Sequence, residues 1–227
     1  MTVVLITGAN KGIGFETAKQ LRELDYTVYI GARNVERGER AAAEIGARFV
    51  QLDVTDDAST ASALASIEAA EGRLDVLVNN AGVLDTSLDG PAVLRAFNTN
   101  VVGIVRVTEA ALPLLRRSQN PNVVTISSSA GSFWAANNPE RPEFSLPLST
   151  YAATKAAATM MTLQYAKAYP EITFNAIEPG TTATDMTADF GIGRAVEETG
   201  RVVVQWATLE RGGPTGTLSD ENGVLPW

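Results

Sequence analysis

The sequence predicts an α/β fold: a doubly wound parallel sheet of about seven strands with helices on both faces. Two observations carry that expectation. Short β-rich runs alternate with longer helix-compatible stretches, the signature of successive βαβ units. Most of those runs are continuously apolar rather than alternating, as strands are when both faces of a sheet are covered. The 227 residues suffice for one sizeable core. With no internal repeat and no low-complexity linker, residues 1–227 read as a single domain.

In chain order, strands are expected at Val3–Thr7, Thr27–Gly31, Arg48–Leu52, Leu74–Asn79, Asn122–Ser127 and Thr173–Glu178. Helix-like stretches such as Ile13–Leu24, Glu36–Ile45, Ser59–Glu71 and Tyr151–Ala168 lie between them. A short last strand is expected near Gly216–Leu218. The least regular parts are Phe133–Ser149, with three prolines, and Thr181–Gly200, with three glycines. Loops of that length in a compact domain are usually functional or mobile.

Composition excludes several classes of function. Hydrophobic residues make up 45% and charged residues 19%, an ordinary globular balance. A net charge of −8 argues against nucleic-acid binding through a basic surface. No apolar run approaches the roughly 18 residues of a membrane span. The opening Met1-Thr2-Val3-Val4-Leu5-Ile6 lacks a basic segment and enters a strand at once, unlike a signal peptide. The chain has no Cys, which excludes disulfides and fits a reducing, cytoplasmic setting. It also has no His, so zinc would have only carboxylates to bind, and no metal is expected.

Without His or Cys, proton handling falls to another residue type. Tyr151 and Lys155, in Tyr151-Ala152-Ala153-Thr154-Lys155, open a long Ala-rich helical run. A separation of four places both on one helix face. An ammonium there is expected to lower the phenol toward neutrality by favouring the phenolate. Taken alone, the pair also suits a surface Tyr beside a solvated Lys.

After the first strand comes Thr7-Gly8-Ala9-Asn10-Lys11-Gly12-Ile13-Gly14, and then a helix. A strand, a Gly-rich turn and a helix are the context of a dinucleotide site, where helix N–H groups and the dipole meet a pyrophosphate. The spacing is Gly-x3-Gly-x-Gly rather than G-x-G-x-x-G. The second strand ends in Gly31-Ala32-Arg33-Asn34, with no carboxylate to accept from a ribose 2′-OH. Arg33, with Lys11 as a second cation, suits a 2′-phosphate instead, so NADPH/NADP+ is the expected cofactor. Two unrelated surface cations are the plainer reading of the same residues.

The motifs together resemble the short-chain dehydrogenase/reductase family over nearly the whole chain, most closely its carbonyl reductase branch, which uses NADPH. The resemblance rests on Thr7–Gly14, Asn79-Asn80-Ala81-Gly82, Asn100-Val101-Val102-Gly103, Ile126-Ser127-Ser128-Ser129-Ala130-Gly131, Tyr151–Lys155 and Pro179-Gly180, in that order. It implies a Rossmann-type sheet and a catalytic set of Asn100, Ser128, Tyr151 and Lys155. A one-residue shift in reading would promote Ser127 or Ser129. Asn100 would fix a helix irregularity and a proton-relay water. For the cofactor it implies Gly8, Asn10, Lys11, Gly12, Ile13, Gly14 and Arg33, and then Asp53 and Val54 near adenine. Asn80, Ala81 and Gly82 would approach the ribose, as would Tyr151 and Lys155. Pro179, Gly180, Thr182 and Thr184 would meet the nicotinamide carboxamide or the phosphates.

The resemblance implies hydride transfer to the carbonyl of a small ketone, aldehyde or quinone, with Tyr151 as proton donor. Alternatives are an oxoacyl-thioester, sugar or steroid dehydrogenase on the same scaffold, or a non-catalytic NADP(H) sensor. The stretch between Ser128 and Tyr151 is longer than is typical of the family. Its Phe133, Trp134 and Phe144 either cover the substrate or simply lie on the surface. By analogy with carbonyl reductases, a monomer or small homo-oligomer is expected. Thr181–Gly200 carries small and acidic residues, which favours uncharged or apolar carbonyl compounds; Arg194 and Arg201 are its candidate anion-binding cations.

Overall fold

A computed structural model describes residues 1–187 and 193–227. Strands β1 (Val3–Thr7), β2 (Thr27–Ala32), β3 (Arg48–Gln51), β4 (Val76–Asn79), β5 (Asn122–Ile126), β6 (Thr173–Ile177), β7 (Thr217–Asp220) and β8 (Gly223–Val224) form one sheet, ordered β3-β2-β1-β4-β5-β6-β7-β8. All pairings are parallel except β7 with β8, which is antiparallel. The expected sheet is therefore present, with eight strands rather than about seven. The extra strand is two residues long, too short to leave a sequence pattern.

Helices α1 (Gly12–Glu23), α2 (Val35–Ile45) and α8 (Val196–Ala207) cover one face. Helices α3 (Asp57–Glu71), α5 (Gly103–Leu115) and α7 (Ser149–Ala168) cover the other. Successive β1 residues divide between the two cores. Leu5 packs with Ile67, Val107 and Phe174, whereas Val4 and Ile6 pack with Leu21, Ala41 and Val203. This two-sided burial explains the continuous apolar runs.

Local chemistry sets the boundaries. Asn34 accepts from Arg37 N at 2.9 Å, and Asp56 accepts from Ser59 N at 2.6 Å, so α2 and α3 begin slightly earlier than their apolar patterns suggest. β4 starts at Val76 rather than Leu74 because Leu74 N donates to Leu114 O, outside the sheet. The sequence reading did not single out α4 (Gly90–Phe97), α5 or α8. Phe133–Ser149 is more ordered than expected, holding α6 (Phe133–Asn137) and a 3-10 turn at Pro142–Phe144. Part of the expected loop Thr181–Gly200 lies outside the described residues, and its end forms the start of α8.

The strand order reverses between β1 and β4, which places a crevice at their carboxyl ends, where ligands bind in open α/β sheets. Under β6, Phe174 is 1% exposed and stacks on Tyr165 at 5.5 Å between ring centroids. Phe174→Ala should cost about 3–5 kcal/mol of unfolding free energy through lost transfer energy and the cavity left behind. Urea denaturation followed by circular dichroism checks this.

Candidate active site

The glycine-rich turn joins β1 to α1 at the crevice. Lys11, the N-cap of α1, has an extended backbone and provides no side-chain cap, so the first-turn N–H groups keep their capacity for an anion. Gly14 has no room for a side chain: an added Cβ would collide with the Asn80 amide and lie 3.0 Å from Ala9 Cα. The Asn80 amide donates to Thr7 O at 2.8 Å and Gly8 O at 3.2 Å. Thr7 Oγ1 in turn accepts from Asn80 N and Ala81 N, both at 3.0 Å. These bonds lock the turn after β4 onto the glycine turn.

Around the rim, Arg33 stands exposed just past the end of β2. It is close enough to Asp53 to help hold that carboxylate below its ordinary range. The Thr55 hydroxyl is the larger cause, donating to Asp53 Oδ1 at 2.7 Å. Val54 is buried and packs where a Gly103 Cβ would stand. The Lys11 ammonium pairs with Asp185 at 2.8 Å. Thr184 lies next to Gly12. Thr182 differs from expectation. Its hydroxyl is buried, donates to Gly180 O at 2.9 Å and meets Thr199 Oγ1 at 2.8 Å, so it braces the loop from within.

The catalytic candidates converge beside the crevice. A single π-helical turn, Asn98–Val102, interrupts the α4–α5 run and carries Asn100 inward. Asn100, 1% exposed, accepts from Val83 N at 2.8 Å and donates to Val83 O and Thr154 Oγ1, both at 2.9 Å. It therefore ties the chain after Gly82 to α7. Lys155 is buried beneath, its ammonium donating to Ile126 O at 2.6 Å. It stands 5.6 Å from the centroid of the Tyr151 ring.

Geometry separates the three adjacent serines. Ser127 Oγ is spent on Lys155 O and Thr159 Oγ1, at 3.2 and 2.7 Å. Ser129 Oγ donates to Glu143. Only Ser128 reaches the Tyr151 hydroxyl. Gly131 permits the approach, since an added Cβ would lie 2.6 Å from the Lys155 carbonyl carbon. The turn after β5 thus rests directly on α7.

Electrostatics depart from the expected phenol–ammonium pairing. Burial, then the Glu178 carboxylate, push Tyr151 up to about 12, while the Ser128 hydrogen bond pulls the other way. Burial brings Lys155 down from 10.5 to about 8, and Glu178 opposes that fall. The helical spacing showed the ammonium but not the desolvation, nor the acid arriving from β6. Sequence reasoning missed Glu178, which reads as an ordinary polar residue before Pro179-Gly180. It also missed the Glu143–Arg141 pair, 3.1 Å apart, that fastens the segment before α7 to Ser129.

Lys155→Met should stabilise the ligand-free protein by about 1–3 kcal/mol at pH 7, because each pKa unit of depression is about 1.4 kcal/mol. The folded value lies below the unfolded one, so the penalty is full below pH 8 and fades as pH rises toward 10.5. Denaturation at pH 7 and at pH 10 checks both the gain and its loss.

The comparisons with known proteins show the family. Residues 2–194 match the short chain dehydrogenase family. A short-chain dehydrogenase/reductase of Stachybotrys chlorohalonatus is 33% identical over 261 aligned positions, spanning 99% of this chain and 94% of the relative. The (−)-isopiperitenone reductase of Mentha piperita is 31% identical, with 97% of this chain and 96% of the relative covered. Among solved structures, NADPH-bound carbonyl reductase from chicken fatty liver has a TM-score of 0.85 at 26% identity, covering 100% of both chains. With its glycine turn, π-turn asparagine and Ser–Tyr–Lys cluster on a continuous parallel sheet, this chain belongs to the short-chain dehydrogenase family of oxidoreductases.

Proposed function

We propose that this protein is an NADPH-dependent reductase of small ketones, aldehydes or quinones, acting as one domain over 1–227. The observation that carries the reading is the meeting of the Ser128 and Tyr151 hydroxyls above buried Lys155, at the carboxyl edge of the central strands. The residues fit the dinucleotide. The α1 N-terminus is uncapped by any side chain, Gly8 and Gly14 leave no room for a Cβ, and no acid ends β2. Gly8 to Gly14 would hold the pyrophosphate, Arg33 the 2′-phosphate, and Asp53 and Val54 would lie by the adenine. Asn80, Ala81 and Gly82 would flank the ribose.

When bound, the reduced nicotinamide supplies the hydride that adds to the carbonyl carbon. Tyr151 gives its hydroxyl proton to the carbonyl oxygen as the C=O electron pair moves there, and the product is the alcohol. Ser128 donates a hydrogen bond to the same oxygen, where negative charge develops. Lys155 would hold the ribose hydroxyls of the bound cofactor and stabilise the phenolate left on Tyr151 until solvent restores its proton. The π turn at Asn100 fixes the position of α7 through Thr154.

The substrate reading rests on the rim. Phe133, Trp134 and Phe144 are exposed on the segment before α7, and Arg141 lies 5.8 Å from the Trp134 ring. Arg194 is already engaged, bonded to Pro179 O and paired with Glu221 at 2.7 Å. Both features favour a small uncharged or apolar carbonyl compound over a carboxylate. The reductase of Mentha piperita acts, by its name, on isopiperitenone, a compound of that kind. The absence of Cys suits a cytoplasmic enzyme, and a monomer or small homo-oligomer is the assembly we propose.

NADPH oxidation with a panel of activated ketones, aldehydes and quinones tests the activity. Tyr151→Phe should lose about 10²–10⁴-fold in turnover while keeping NADPH affinity, because only the proton donor is removed; a variant within about threefold of wild type overturns the assignment. In a fluorescence titration NADPH should bind more tightly than NADH, and Arg33→Asp should weaken NADPH selectively. Equal affinities would remove the cofactor preference. Oxoacyl thioesters, sugars and steroids in the same panel test the alternatives.

A further inference from the structure

Glu178 follows β6 and faces the catalytic cluster, although nothing in the reaction above uses it. Its two oxygens hold different loops. Oε1 accepts from Gly180 N at 2.9 Å, within the Pro179-Gly180 turn. Oε2 accepts from Ser129 N, within the serine turn. Its own N–H is fixed by Ser219 O at 2.7 Å, so β7 anchors the backbone behind it. One carboxylate thus clasps the turn that presents Ser128 to the turn expected beside the nicotinamide. Ser129 extends the clasp, because its hydroxyl donates to Glu143 on the segment before α7.

Resting on the proposed reductase reading, we propose that Glu178 is a positioning residue that joins these turns and holds a fixed negative charge beside the Tyr151–Lys155 pair. A fixed negative charge disfavours a phenolate beside it and favours an ammonium. The other charges facing the clasp are Lys155 from α7, Glu143 with Arg141 across Ser129, and Arg194, which is turned toward Pro179 O and Glu221. Glu178 pushes Tyr151 and Lys155 in the same direction, up, while burial pushes them apart. Reduction, which needs the protonated phenol, is thereby kept to higher pH. Oxidation of an alcohol, which needs the phenolate, is pushed to more alkaline pH.

The test titrates Tyr151 by tyrosinate absorbance, taking the difference between each protein and its Tyr151→Phe counterpart. It uses the ligand-free chain and needs no substrate, so it is independent of whether the reductase reading holds. The midpoint should fall by about one pH unit in Glu178→Gln, which removes the charge while its amide oxygen still accepts one of the two N–H groups. In Glu178→Asp, which keeps the charge, it should stay near wild type. If Glu178→Gln does not fold, Glu178→Met, uncharged and of similar length, carries the same comparison. Where the wild-type enzyme reduces a ketone, the alkaline limb of kcat should move down by the same amount in the neutral variant. A folded neutral variant whose Tyr151 midpoint matches wild type overturns the proposal, as does a Glu178→Asp midpoint that falls with the neutral variant.

Discussion

Where β1 and β4 lie side by side, the Asn80 amide donates to the carbonyls of Thr7 and Gly8, and Thr7 Oγ1 accepts from the backbone of Asn80 and Ala81. Everything above the sheet's carboxyl edge takes its position from this knot. It sets the glycine turn against the turn after β4, and Gly82 in that second turn lies against Asn100 and Lys155. Asn100 passes the constraint to α7 through Thr154, and α7 carries Tyr151 and Lys155. The glycine turn and the Ser–Tyr–Lys cluster are thus two ends of one path, built on strands adjacent in space but distant in sequence.

The cluster above that path holds a conflict. Lys155 is removed from water with Ile126 O as its hydrogen-bond partner, and half-buried Tyr151 lies beside it. A buried ammonium opposes folding unless neighbouring charges and dipoles offset its desolvation. The fold carries this local cost because the surrounding sheet is packed on both faces. Stability generated by Leu5, Leu77, Val123 and Phe174 on one side, and by Val4, Ile6 and Val124 on the other, supports a site that is itself unfavourable.

Much of this was legible in the residues. Continuous apolar strands announced a sheet covered on both faces, and the glycine turn, the asparagine pairs and Tyr151–Lys155 lie together in the fold at one edge. Contacts between distant segments were not legible. Glu178 and Ser129 belong to different strand ends and meet only because β5 and β6 are neighbours. Spacing along α7 put Lys155 near Tyr151 but carried no measure of burial, so the direction of the phenol's shift was read the wrong way. Thr182 looked like a cofactor contact from its place after Pro179-Gly180. Its inward turn depends on Thr199 in α8, which no local pattern reveals. Likewise Lys11 read as part of a cation pair, whereas Asp185, on the loop that folds over the glycine turn, claims it.

The sheet's two margins differ in how they meet solvent. On one side β3 is four residues long and presents Arg48 and Gln51, both exposed. On the other, β8 contributes only Gly223 and Val224, turned antiparallel against β7 by a tight return in which Asn222 N donates to Asp220 Oδ1 at 2.7 Å. Short, polar or reversed margins are poor templates for a further strand. A parallel sheet of this breadth would otherwise offer rows of unpaired amides to any extended segment nearby, its own nascent copies included. The reversed final strand is thus a guard against edge-to-edge aggregation.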